Sequence, residues 1–179
     1  GAHGDEFGFG VDLAEDICVV GAPRNKGAGA AYVYDTTTWM FVAKLESSDP
    51  APQKSFARDV AIGAEFIATG ANPIGSTEGD PGSVELFRRN TTEHAATLRA
   101  ATENEYGVFV EWTDDGLLLV SAPLEPNDQG NKSGAIFAYD DIPFSEDVIS
   151  DSSSSSSKKS SSNNNVVVIV ALVLVFVVI

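Results

Sequence analysis

Hydrophobic positions fall in short runs that are separated by glycine, proline and acidic turns. Within residues 7–45 the runs are Val11 with Leu13, Ile17–Val20, Ala31–Tyr34 and Trp39–Leu45. Their length and their two-residue alternation are typical of β-strands. Gly21-Ala22-Pro23 is expected to end the second run, because proline cannot donate a hydrogen bond to a strand ladder. The pattern predicts one unit of four short strands.

The same order of features returns twice. The second copy opens at Phe56 and the third at Tyr106. Their further predicted strands are residues 66–69, 83–87 and 94–98 in the second copy, and 108–112, 117–120 and 134–140 in the third. The third copy is predicted to lack a strand that corresponds to Trp39–Leu45. A period of roughly fifty residues with four strands per unit is typical of a β-propeller blade, and the absence of a helical period argues against alternating strands and helices.

The motifs of the three copies resemble a known repeat. Copy one carries Phe7-Gly8 and Gly21-Ala22-Pro23, copy two keeps Phe56 and Gly70-Ala71, and copy three keeps Tyr106-Gly107 and Ala122-Pro123. The chain resembles the FG-GAP repeat, the blade unit of integrin alpha-chain propellers and related extracellular proteins.

The resemblance covers residues 7–140 and implies an all-β fold, a partial β-propeller of about three four-stranded blades in residues 1–141. Rings of this family usually have seven blades, so the chain is expected to be the C-terminal part of a larger ring. A last blade without its own fourth strand is what a ring closed by an N-terminal strand would show.

The composition changes after the third copy. Residues 142–165 are acidic and then rich in serine and asparagine, a composition that cannot bury a core and predicts a flexible stalk. Val166–Ile179 is wholly apolar and predicts a membrane anchor. A buried strand is the disfavoured alternative for so long a run.

Two kinds of anchor fit residues 166–179. The run is shorter than the about 20 apolar residues of a transmembrane helix, so that interpretation requires a truncated segment. A glycosylphosphatidylinositol signal requires small residues, a polar spacer and an apolar tail. Four small residues supply the candidate attachment site: Ser154, Ser155, Ser156 and Ser157. Both alternatives place the repeats outside the cell, at the cell surface.

The net charge of the chain further limits the classes of partner that it could bind. Acidic residues outnumber Lys and Arg by 26 to 11, giving a formal net charge of −15. Such a surface disfavours nucleic acid and anionic lipid headgroups, because both are bound through Lys and Arg. The single cysteine, Cys18, lies in an apolar run and is predicted to be a small buried hydrophobe rather than half of a disulfide.

Candidate modification and metal sites are few. Asn90-Thr91-Thr92 and Asn131-Lys132-Ser133 are N-glycosylation sequons in predicted turns or loops. Integrin-type repeats often hold calcium between their first two strands, and calcium requires six to eight oxygen ligands. The corresponding turns are Ala14–Asp16, Gly63–Glu65 and Asp114–Gly116. None has the alternating acidic pattern, so no metal and no cofactor is predicted.

The sequence gives no sign of catalysis, and the chain is predicted not to be an enzyme. His3 and His94 cannot be placed in a Ser/His/Asp or Cys/His arrangement, and His94 is expected at the surface of an edge strand. The recurring aromatic residues are expected to pack between blades. They are Phe7, Phe9, Tyr32, Tyr34, Phe56, Phe87, Tyr106, Phe109, Phe137 and Tyr139.

The resemblance implies a membrane-anchored extracellular recognition or adhesion-like module with a protein or glycan partner. Two alternatives remain: an accessory propeller of a surface enzyme whose catalytic domain lies upstream, and a structural surface glycoprotein. In a four-stranded meander, the loops between strands two and three share one face with the connections between blades. Binding is expected in those loops, which are residues 24–28, 73–81 and 124–133, with the connections 47–55 and 99–105.

Overall fold

The computed structural model describes residues 2–50, 54–72, 82–100, 106–124, 134–140, 148–150 and 166–169. Thirteen strands are present in this part of the chain. They are β1 (Val11–Leu13), β2 (Ile17–Ala22), β3 (Ala30–Asp35), β4 (Phe41–Leu45), β5 (Phe56–Ile62), β6 (Phe66–Ala71), β7 (Ser83–Arg88), β8 (His94–Ala100), β9 (Val110–Trp112), β10 (Leu118–Ala122), β11 (Ala135–Tyr139), β12 (Val148–Ser150) and β13 (Val166–Ile169).

The strands form three sheets, one for each sequence copy. Sheet one has the order β1-β2-β3-β4, sheet two β12-β8-β7-β6-β5 and sheet three β13-β11-β10-β9. Strands that are consecutive within a copy pair antiparallel as a meander. The architecture is all-β and consistent with partial propeller blades, as the sequence predicted.

The pairing register confirms the alignment of the three copies. Gly21 pairs with Ala31 in sheet one, and Gly70 pairs with Val84 in sheet two. In sheet three Ser121 takes the same place and pairs with Ile136. Each motif residue therefore has a defined equivalent in the other two sheets.

Two apolar cores lie between successive sheets. Because side chains of a strand alternate between its two faces, each sheet can pack on one neighbour with each face. Val19 and Val33 of sheet one pack with Phe56 and Ile67 of sheet two. On its other face, sheet two packs Leu86 and other apolar residues against sheet three. Cys18 is buried, as predicted.

The prediction that the third copy lacks a fourth strand was wrong. Val166–Ile169 (β13) pairs antiparallel with β11, in a register that sets Tyr139 opposite Val166. No strand follows directly after Asp140 in the sequence pattern. In the structure the fourth strand of this sheet is formed by residues that come after the Ser/Asn-rich segment. The free edge of β11 explains the pairing, because its N–H and C=O groups need partners and a valine-rich segment favours strand geometry.

A second strand comes from the predicted stalk. Val148–Ser150 (β12) pairs parallel with the last residues of β8, Leu98–Ala100. The strand β8 therefore has a neighbour on each side, and it is not the edge strand that the sequence indicated. The remaining residues of the predicted stalk, and residues 170–179 of the predicted anchor, lie outside the described part.

Helical structure is minor in the ranges given above. The only helical element there is a single 3-10 turn at Asn25–Gly27. No helix among these residues is long and apolar enough to cross a membrane.

Candidate functional site: the sheet joints and the loop rim

The glycine of the Gly-Ala motif lies against the backbone of the next sheet. A Cβ atom added to Gly21 would lie 2.1 Å from the carbonyl oxygen of Ala57, and one added to Gly70 would lie 2.2 Å from that of Gly107. Ala57 and Gly107 are the second residues of the Phe-Gly-type pairs that open copies two and three. The two halves of the repeat motif therefore meet across each joint between sheets, where only glycine fits.

A second glycine tightens each joint. Gly29 and Gly82 precede the third strand of their copies and have positive φ values of 99° and 85°. Added Cβ atoms would lie 2.2 Å from the Phe56 oxygen and 2.1 Å from the Tyr106 oxygen. Each sheet therefore approaches the backbone of the next copy's opening pair at two points, one at each residue of the pair.

Two aspartates complete the joints by accepting backbone hydrogen bonds. The N–H of Ile62 donates to Asp12 Oδ2 at 2.6 Å, and the N–H of Val110 donates to Asp59 Oδ2 at 2.9 Å. Burial raises the pKa of Asp59, and the Val110 hydrogen bond opposes that rise. The carboxylate is thus retained as a hydrogen-bond acceptor at the cost of partial desolvation.

We expect two substitutions of Asp59 to distinguish the contribution of its hydrogen bond to stability from the contribution of its charge. Asp59→Ala should lower the free energy of unfolding by about 1–3 kcal/mol, because the Val110 N–H loses its acceptor. Asp59→Asn keeps a side-chain oxygen and should be much less costly. The measurement is urea unfolding at several pH values.

The pH dependence provides the control for Asp59. Since its pKa is raised in the folded state, the folded state binds more protons, and stability is lost as pH rises from the ordinary value of 3.8 through the raised pKa. Asp59→Asn should remove this loss. An unchanged pH profile in Asp59→Asn would contradict the assignment.

The joints bring loops and connections of different sheets to one rim. The N–H of Phe56 donates to the Ala28 oxygen at 3.0 Å, which places the end of the inter-sheet connection beside the loop that follows β2. We define the loop rim as the described residues Arg24–Ala28, Ser47–Pro50 and Lys54–Ser55. The expected loops 73–81 and 125–133, and the connection residues 51–53 and 101–105, lie outside the described residues.

The first part of the loop rim is built on a buried Asp-Asn contact. Asn25 Nδ2 donates to Asp5 Oδ2 at 2.9 Å, and the N–H of Ala2 donates to the same oxygen at 2.6 Å. These hydrogen bonds, that from Asn25 foremost, lower the pKa of Asp5. Arg24 forms an exposed ion pair with Glu6, and Lys26 is exposed beside it. The arrangement presents two cations on a fixed turn.

A buried carboxylate holds the inter-sheet connection on sheet two. Glu85 is fully buried. It accepts hydrogen bonds from the hydroxyl of Ser47 and, at 2.8 Å, from the N–H of Ser48. His94 Nε2 lies 3.5 Å from Glu85 Oε2, the oxygen that accepts from Ser48, and the His94 side chain is one-third exposed. The His94 side chain therefore borders a buried acid, in addition to the surface position that the sequence indicated.

The connection contains a second buried charge. Lys54 is buried, and its ammonium donates to the backbone oxygen of Asp49 at 2.9 Å and to Asp49 Oδ2 at 3.3 Å. Arg99 Nη2 lies 3.9 Å from the same carboxylate oxygen. Asp49 therefore links the connection to β8 and shapes the loop rim.

The opposite rim carries the turns between strands one and two. Arg89 bonds to the Asp16 carboxylate of sheet one and donates at 2.8 Å to the oxygen of Gly63 in sheet two. The hydrogen bond from Arg89 lowers the pKa of Asp16. Asp16 thus takes part in an inter-sheet ion pair.

The structure places one predicted modification site. Asn90 is exposed in the turn between β7 and β8, next to Arg89 on the opposite rim. A glycan on Asn90 would therefore lie at the far end of the sheets from the loop rim. Asn131 and the four serines of the predicted lipid-attachment site lie outside the described residues, so those predictions stay open.

The aromatic predictions divide into three groups. Phe56, Phe87, Tyr106, Phe137 and Tyr139 are buried in the two cores between sheets, which confirms the prediction for them. Phe7, Tyr32 and Tyr34 pack on aromatic rings of their own sheet and not on a second described sheet. Phe9 and Phe109 are more than half exposed, so the same prediction was wrong for them. Both follow the opening pair of their copy, where the chain has not yet entered a strand.

No metal centre emerges from the described ranges. They hold no group of three or more His, Cys, Asp or Glu side chains that could bind a metal ion. Ser47 and His94 both contact Glu85. This common carboxylate makes the cluster a hydrogen-bonded support for the connection.

Sequence reasoning missed Glu85 and Lys54. A signal for Glu85 was present: it occupies the position of Tyr32 and Phe137 in the other copies, on the strand face that the alternation assigns to the core. Lys54 had no such signal, because burial of a connection depends on contacts between distant residues.

The comparison with known protein families agrees with the sequence motifs of the first copy. Residues 1–34 match the family model described as FG-GAP repeat. The match confirms the resemblance seen in the first copy. No curated protein matches the chain.

Proposed function

We propose that this FG-GAP repeat protein is a cell-surface binding module that contacts a protein or glycan partner through the loop rim. The FG-GAP match indicates a propeller-type binding module. The observation that carries the proposal is the joint between sheets, which brings the Arg24–Ala28 loop beside the connection that ends at Phe56. Rigid sheets that hold loops of different copies at one rim provide a composite surface for a partner.

The chemistry of the loop rim favours an extended, polar partner surface. Arg24, Lys26 and Asp49 are exposed there, while Lys54 and Glu85 beneath them are buried and bonded. Exposed charges of both signs on a fixed backbone suit a protein surface or a glycan. The strong overall negative charge disfavours nucleic acid as the partner.

The test uses glycan placement as a steric mask. Cells that display the full chain are offered labelled glycans and labelled extracellular proteins, and the bound probes are identified. A new sequon at the loop rim, made by Ser48→Asn with Pro50→Thr, should abolish binding of those probes, because a glycan would cover the rim.

The native sequon is the matched control. Asn90→Gln removes a glycan from the opposite rim and should leave binding unchanged. Probe binding that survives an occupied glycan at position 48 would refute the loop rim as the binding surface, provided that cleavage with a glycosidase shows the glycan to be present.

The proposal includes attachment to the membrane that the segment 166–179 directs. Four of its residues form β13 on sheet three, and these residues cannot lie in that sheet and in a bilayer at once. We therefore propose that β13 leaves β11 on attachment: the segment either enters the bilayer or is cleaved off when a lipid is joined to Ser154, Ser155, Ser156 or Ser157. For the lipid-anchored form, treatment of displaying cells with a phosphatidylinositol-specific phospholipase should release the chain. Retention after treatment would contradict a lipid anchor, and recovery in the soluble fraction without treatment would contradict any anchor.

A further inference from the structure

The outer edge of sheet two is covered by a strand from another part of the chain. Val148–Ser150 (β12) pairs parallel with Leu98–Ala100, the last three residues of β8, and this pairing places Ile149 opposite Arg99. Because parallel strands cannot be joined by a tight turn, β12 reaches this edge as a separate segment. The edge of β8 therefore accepts an extended segment that is not part of the meander.

The corresponding edge of sheet one carries no such strand among the described residues. The register aligns Leu98 with Leu45, since each lies opposite the residue that pairs with the motif glycine of its copy. Glu46 of sheet one therefore takes the place of Arg99 in sheet two. The two edges thus differ in the sign of the charge at one position.

The segment that supplies β12 is acidic. Its three residues are flanked in the sequence by Glu146, Asp147 and Asp151. Opposite charges favour such a segment beside Arg99, whereas like charges oppose it beside Glu46. The net charge of −15 also repels acidic segments from the surface as a whole, so a cation at the edge is needed to offset that repulsion. Charge complementarity therefore favours the edge of β8 over that of β4.

The covered edge adjoins the loop rim. Arg99 Nη2 lies 3.9 Å from Asp49 Oδ2, and Asp49 belongs to the rim. The same aspartate accepts hydrogen bonds from the buried Lys54, and these bonds fix the connection beside the end of β8. A partner on the loop rim would therefore lie next to the edge that β12 occupies.

We propose that the edge of β8 at Leu98–Ala100 is a strand-binding site of the loop rim, which β12 occupies until a partner displaces it. The inference rests on the proposed binding at the loop rim. The partner is a protein with a short extended apolar segment between acidic residues, since that is the chemistry of the segment seated on the edge. Backbone hydrogen bonds along the edge provide the affinity, and the charge of Arg99 provides the selectivity.

The test offers the chain its own segment as a separate peptide. A labelled peptide of residues 146–152 is titrated against the purified full chain and against its Ile149→Pro variant, with fluorescence anisotropy as the readout. Proline should release β12, because it lacks the N–H group that strand pairing uses. The peptide should bind the variant about tenfold more tightly than the parent, in which β12 occupies the site. Equal binding to both chains, or no binding to the variant, would overturn the proposal.

Charge exchange provides the matched control. A second peptide carries Lys in place of its three flanking acids, and a second chain combines Ile149→Pro with Arg99→Glu, which introduces the residue type of sheet one. The native peptide should prefer the chain with Arg99 and the Lys peptide the chain with Arg99→Glu, each by about threefold or more. Arg58→Glu, on β5 at the opposite edge of sheet two, changes the net charge equally and should alter neither preference. The same preference in both peptides would refute the role of Arg99.

The peptide titration and the glycan mask at position 48 give independent results, because the titration uses no cell-surface partner and the mask does not involve β12. Light scattering tests whether β12 is exchanged between two copies of the chain. We expect a monomer at the concentrations of the titration. A parent dimer that Ile149→Pro dissociates would show that β12 of a second copy covers the edge, and it would overturn occupation within one chain.

Discussion

Replacing Gly70 with alanine should destabilise the packing of sheet two on sheet three by about 3 kcal/mol or more. The added Cβ would lie 2.2 Å from the carbonyl oxygen of Gly107, and the overlapping atom belongs to backbone that cannot rotate away. To remove this steric overlap, sheet three must move away from sheet two. That movement opens the core around Leu86 and Tyr106. Denaturant unfolding should show a lower midpoint, with exchange protection lost first in β9 and β10.

The control for Gly70 separates the steric effect from the loss of a glycine. Gly116 has a φ of 87°, and an added Cβ would meet nothing within 4 Å. Gly116→Ala should therefore cost only the backbone strain of that conformation, about 1–2 kcal/mol. Gly21→Ala should repeat the large effect at the first joint. Similar losses at Gly70 and Gly116 would contradict the assignment of Gly70 to a tight joint.

Replacing Glu85 with alanine should lower the free energy of unfolding by about 2–4 kcal/mol. The carboxylate is fully buried and accepts the hydrogen bonds of the Ser47 hydroxyl and the Ser48 N–H. Its removal leaves these donors without their acceptor and leaves a cavity beneath the connection. The substitution also removes the desolvation cost of the buried carboxylate, but this gain offsets only part of the loss of stability. The connection should then become sensitive to limited proteolysis near Ser47.

A surface glutamate provides the matched control. Glu46 pairs with Lys44 at 2.5 Å, and its side chain is 58% exposed. Glu46→Ala should change stability by less than about 1 kcal/mol, because exposed ion pairs contribute little. If Glu85→Ala is as mild as Glu46→Ala, then Glu85 does not hold the connection in the way described.

Much of the fold could be predicted from local pattern. Two-residue alternation located the strands of the three meanders, and the recurrence of the Gly-Ala motif aligned the copies in the register that Gly21, Gly70 and Ser121 show. Errors at strand ends were small. Trp39 and Met40 lie between the turn and β4, outside the strand, while Gly21 and Ala22 continue β2.

The candidate site was less predictable. The sequence located the loops between the second and third strands and the connections, and the contact of Phe56 with Ala28 supports their shared rim. It did not reveal the bonded acid beneath them, because the partners of Glu85 lie 37 and 38 residues away along the chain. Hydrogen bonds over such separations leave no local periodicity.

The pairing of the tail was beyond sequence reasoning for the same reason. The apolar run of valines was predicted to be a membrane anchor, and a buried strand was the disfavoured alternative. Only the available edge of β11 decides where Val166–Ile169 lies in the structure.

The sequence by itself determined the three copies, their strands and the two faces of each sheet, because these follow from alternation and turn residues within about fifty neighbouring positions. The tertiary structure decided which face meets which neighbour. It showed that Gly21 and Gly70 are required by the backbone of the following copy, that Glu85 is buried beneath a connection, and that among the described residues no second sheet covers the outer face of sheet one. These properties depend on distances between separate copies, which a local pattern does not contain.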